Sequence, residues 1–147
     1  MTYAKICVAV LIVVSSAMAA NSDRKYIPAP GAAKSLPISA AVEVGNTLYI
    51  SGHIGTKNEQ ERLAPADEVH ALMDKLKQTV ESAGYSLDDI VSVQIFCTDM
   101  KLYDTFNSAY ATYFHGQFPA RAFIGINQLT RGAHFEVTAI AVKKSAK

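Results

Sequence analysis

The sequence predicts an α+β domain, a mixed sheet with two helices packed on one face. Three observations predict it. Two short alternating runs flank Gly45-Asn46, two later stretches repeat apolar residues at helical spacing, and runs dense in Val, Ile and Phe stand between and after those stretches. Strand pairs separated by helices close as one sheet, because each amphipathic helix needs an apolar face to cover.

The elements follow in order. Lys5 precedes an unbroken apolar run over 6–14, and small residues ending Ala17-Met18-Ala19 come next. A charge, an apolar run and an A-x-A ending form the pattern of a cleaved export signal. Residues 1–19 are therefore read as a secretory signal peptide, with the periplasm or the medium as the expected destination. The run falls short of the ~20 apolar residues of a spanning helix. An uncleaved anchor is the less favoured alternative, and no stable membrane anchor is expected after cleavage.

Residues 20–36, with Pro28, Pro30 and Gly31 and little periodicity, read as an extended lead-in, and 37–147 as a single domain. Residues 41–44 and 47–51 form a hairpin around Gly45-Asn46. Pro65, Asp67 and Glu68 suit a helix N-terminus. Val69, Leu72, Met73, Leu76, Val80 and Ala83 then recur at helical spacing up to Gly84. A strand is predicted over 90–98 and a second helix over 102–114, with Phe106, Tyr110, Tyr113 and Phe114 on one stripe. Strands over 120–126 and 133–143 close the chain.

Composition narrows the function. The formal net charge of +1 falls to zero when Lys5 leaves with the signal. A nucleic-acid partner is not expected, because such proteins carry a basic excess that displaces counterions from phosphates. Of the two cysteines, Cys7 lies in the signal, so Cys97 has no partner for an intramolecular disulfide. The four histidines, His53, His70, His115 and His134, show no metal-ligand spacing, so no metal is expected. No nucleophile elbow, dinucleotide fingerprint or P-loop is present.

Few residues are left to carry chemistry. Asp88-Asp89 reads as a solvated turn, and Cys97 as a buried strand residue with no neighbouring cation to activate it. His53, beside a glycine at a strand end, reads as solvated or hydrogen-bonded in the core. Arg121 differs, because it enters an apolar strand directly after Phe118-Pro119-Ala120. A guanidinium among apolar residues needs an anion. Glu136, the only acid in the last two strands, is one choice; the other is a ligand carboxylate gripped by Arg121, with Glu136 handling a water or a proton. The residues alone leave these two readings even.

Several motifs together resemble the Rid family, the YjgF-type reactive intermediate deaminases. They are Tyr49-Ile50-Ser51-Gly52-His53-Ile54-Gly55, Glu81-Ser82-Ala83-Gly84, Leu87-Asp88-Asp89-Ile90-Val91, Asn107 with Tyr110 and Phe114, Phe118-Pro119-Ala120-Arg121, and Phe135-Glu136-Val137. The resemblance spans 36–142. It implies a chorismate-mutase-like fold, a homotrimer with ligand sites between subunits, and cofactor-free hydrolysis of enamines or imines to 2-keto acids and ammonia.

By the same resemblance, Arg121 matches the arginine that binds the substrate carboxylate, and Glu136 the acid that positions water. Ser51 and Gly52 match the pair lining the cleft. Phe123 matches a position that offers its backbone N–H and is often cysteine, and Asn107 matches a helix residue that supports the cleft or tethers helix to strand. Two departures stand out: Ile38 replaces the tyrosine that closes over the ligand, and Lys75 replaces an asparagine. An apolar residue at 38 suits a bulkier or more hydrophobic imine. The implied partner is thus a small carboxylate-bearing molecule. A non-catalytic carboxylate-binding or chaperone-like protein is the alternative, and an endoribonuclease fits a neutral chain poorly.

Overall fold

The computed structural model describes residues 24–29 and 37–143. The signal-peptide expectation for 1–19 lies outside them. The strands are β1 (Arg24–Ile27), β2 (Ala41–Val44), β3 (Thr47–Ile54), β4 (Ile90–Cys97), β5 (Ala120–Gly125) and β6 (Phe135–Val142), and the helices are α1 (Pro65–Ser82) and α2 (Tyr103–Ala111). The strands form one sheet in the order β1-β2-β3-β6-β4-β5. Only β4 and β5 run parallel; every other neighbouring pair is antiparallel.

Alternation sets the two faces of this sheet. Phe135, Val137, Ala139 and Ala141 of β6 and Val93, Ile95 and Cys97 of β4 are buried, and they meet the Val69, Leu72, Met73, Leu76 and Val80 stripe of α1 and Phe106, Ala109 and Tyr110 of α2. Full burial of such side chains stabilises by ~1.5–3 kcal/mol each, which makes this layer the main source of stability. The opposite face is open, and Tyr49 there is 50% exposed.

The predicted hairpin forms as read, with Gly45 taking a left-handed φ of 61° at its turn. The structure differs elsewhere. Part of the extended lead-in is a true strand, because β1 pairs along the whole of β2. The second helix is shorter than 102–114; a 3₁₀ turn over Met100–Leu102 precedes it, and turns follow Ala111. The strand β5, read as apolar, is largely exposed, because it is the edge of the described sheet and pairs there with β4 alone. Glu68 does more than favour the helix N-terminus. It is 1% exposed, and its carboxylate accepts from the backbone N–H groups of His134 and Phe135 at 2.7 and 3.1 Å and meets His134 Nδ1 at 2.7 Å.

Candidate active site

The sequence-predicted site residues fall into two groups on opposite faces of the sheet. Arg121 is in register with Val93, which is buried under the helices, so it takes the helix side of β5. Glu136 is in register with Phe96 and Ile54, between the buried Phe135 and Val137, so it takes the open side of β6. The purely structural Arg121–Glu136 ion pair therefore does not form within the chain. Nor is Arg121 buried among apolar residues, because an edge strand covered only partly by α2 leaves it exposed.

The Glu136 half is built on an irregularity in β3. The register of β3 against β6 slips between Ile50 and His53, and the extra residue bends the strand there. Glu136 folds directly over Gly52, where a Cβ would come within 1.8 Å of Oε1. Burial alone raises the pKa of this carboxyl above its ordinary value of 4.5. Ser51 Oγ donates to Ser39 O at 2.7 Å, and this bond brings the 37–40 segment against the bulge. Ile38, Ser39, Ser51, Gly52, His53 and Lys75 line one cleft beside α1, in which Ile38 is 60% exposed; Glu136 is not among its lining residues and adjoins it at Gly52.

Two clamps on α1 hold that bulge in place. His53 Nδ1 meets Ser51 O at 2.7 Å and its Nε2 meets Thr79 Oγ1 at 2.8 Å. A carbonyl only accepts, so Nδ1 carries the proton and, in the neutral ring, the Thr79 hydroxyl donates to Nε2. Burial, which outweighs the bond to Ser51, lowers the His53 pKa below 6.5, and the Lys75 charge adds to the fall. Lys75 Nζ donates to the carbonyls of Ile54, Gly55 and Thr56 at 2.9, 2.7 and 3.4 Å. Burial also lowers the Lys75 pKa. The Lys75 clamp was not legible in the sequence, where Lys75 stood out only as a departure; for His53 the hydrogen-bonded alternative holds, with partners that the sequence did not name.

The Arg121 half lies against α2. The guanidinium stands 5.8 Å from the Tyr103 ring centre, 5.4 Å from that of Tyr110 and 5.8 Å from that of Phe123, and Nη2 meets the Tyr103 hydroxyl at 3.4 Å. These rings fix the cation without neutralising it, and no carboxylate among the described residues pairs with it. Asn107, Tyr110, Ala111, Phe118, Pro119 and Arg121 line a second cleft. Asn107 Oδ1 and the Tyr110 hydroxyl are buried without partners among the described residues, so Asn107 Oδ1 does not tether helix to strand. Burial pushes the Tyr110 pKa up to about 12, which keeps the phenol protonated.

Such an arrangement presents an unpaired cation for an anion in one half and a water-accepting carboxylate of raised pKa in the other. Comparison with known proteins then decides the family, because the endoribonuclease L-PSP family profile, which covers the Rid proteins, matches residues 28–143. The chain belongs to the Rid family. The 2-iminobutanoate/2-iminopropanoate deaminase of Mus musculus is 36% identical over 73% of this chain and 82% of its own length. Its namesake from Dermatophagoides farinae is 34% identical over 82% and 98%. Among solved structures, RidA from Psychrobacter sp. PAMC 21119 superposes with a TM-score of 0.69 at 30% identity, covering 76% of this chain and 92% of that one. Escherichia coli TdcF with bound serine gives 0.73 at 27%, covering 82% and 99%. This Rid chain thus has the mixed sheet with two helices expected of it, with β1 as a sixth strand beyond the five read from the sequence.

Proposed function

We propose that this Rid protein hydrolyses 2-imino acids to 2-keto acids and ammonia, at sites assembled between the subunits of a homotrimer. One observation carries the reading: among the described residues Arg121 has no acid and Glu136 no cation, and the two stand on opposite faces of one sheet. Two such halves serve one small ligand only when each comes from a different copy. The names of the curated relatives support the chemistry.

Arg121 binds the substrate carboxylate through paired N–H donors and so fixes the orientation of the C=N bond. Glu136 takes a proton from water as the water oxygen bonds to the imine carbon and the π electrons move to nitrogen, which then takes that proton from Glu136. The resulting carbinolamine gives its hydroxyl proton to Glu136, the C=O bond forms as the C–N bond breaks, and Glu136 passes that proton to the leaving nitrogen, so ammonia departs and the carboxylate is restored. General-base help of ~10²–10⁴-fold suffices for so reactive a substrate. Ile38, where the family has tyrosine, covers the site without contributing a hydroxyl.

The test is to generate 2-iminopropionate with an amino-acid oxidase and time its decay. The wild type accelerates decay, and Arg121→Ala removes the acceleration. Equal decay with both proteins rejects the reading and favours a non-catalytic carboxylate-binding role.

A further inference from the structure

Resting on the reading of Arg121 as carboxylate anchor, we infer that the cleft beside it receives the substrate side chain and selects imino acids with a large, flat, apolar side chain such as phenyl. The cleft holds about 320 Å³. A cavity of ~150 Å³ already accommodates benzene, whereas the methyl of 2-iminopropionate would leave most of the present volume to water. Its walls are Tyr110, Ala111, Phe118 and Pro119, with Asn107 and Arg121 the only other lining groups. Phe118 is 57% exposed although its ring lies 5.8 Å from Phe114 and 6.5 Å from Tyr110. An aromatic wall with one face in water gains by taking an aromatic ring against it. The rings that hold the guanidinium also leave it beside an apolar surface, so one molecule can meet both with a carboxylate and an aryl group.

Calorimetric titration of the intact protein with phenylpyruvate and with pyruvate tests this without requiring catalysis. Phenylpyruvate is expected to bind at least ~10-fold more tightly, since each extra buried methylene-sized group adds to affinity. Phe118→Ala, with circular dichroism confirming its fold, is expected to lose most of that ratio. Equal affinities, or tighter pyruvate binding, overturn the inference, as would a subunit covering the aromatic wall. Imines made in situ from phenylalanine and alanine separate the two claims. Hydrolysis of 2-iminopropionate alongside equal keto-acid affinities sinks the aryl pocket and leaves the deaminase standing. Tight phenylpyruvate binding with no imine hydrolysis does the reverse.

Discussion

Glu136 holds its carboxyl partly buried over a glycine, with burial as the one influence on its pKa. The raised folded value has a definite consequence for stability. Between the ordinary value of 4.5 and the raised one, the folded chain binds more proton than the unfolded chain. The contribution of this group is therefore complete below pH 4.5 and is lost as pH rises through the folded value. Glu136→Gln should melt above wild type at neutral pH, with the gap closing on acidification, while imine hydrolysis falls by ~10²-fold or more. A melting series from pH 7 to pH 4 with parallel activity assays checks both. A variant that is active, or less stable only at neutral pH, contradicts this account of Glu136.

Among the elements, β3 does most to position chemistry, and two of its glycines or near neighbours separate function from folding. At Gly52 an added Cβ meets Glu136 Oε1, the free end of a flexible side chain. At Gly55 it meets the Glu68 carbonyl oxygen at 2.4 Å and Cγ at 2.5 Å, inside a helix and a buried carboxylate network. Gly52→Ala should therefore melt close to wild type and lose most activity, because Glu136 must swing away. Gly55→Ala should lose ~1–3 kcal/mol of stability, as overpacked sites do. Urea denaturation and activity of the two variants make the comparison, and equal destabilisation would count against it. These elements differ in how legible they were. The hairpin, α1 and β6 follow from period and turn residues, which act locally. The bulge, the exposure of β5 and the strand character of 24–27 depend on which strands become neighbours. Local pattern does not specify that.

At the scale of the whole molecule, the sheet has one face sealed by helices and one left open, with half a site on each side. Arg121 and Glu136 were legible as candidates because a guanidinium and a carboxylate in apolar strands are conspicuous. Their separation was not, since it follows from a strand order in which β4 lies between β5 and β6. The aromatic box of Tyr103, Tyr110 and Phe123 was not legible for the same reason: Tyr110 read as part of a helix stripe, and Phe123 stood out only for its backbone N–H. The separation makes a subunit-mixing experiment the most direct test. Arg121→Ala and Glu136→Gln are each expected to be inactive. Dissociated together and reassembled at equal ratio, they should recover about one quarter of the wild-type rate, because each mixed trimer regains one of its three sites. Mixtures no more active than either variant, beside an active wild type, would contradict a site shared between subunits.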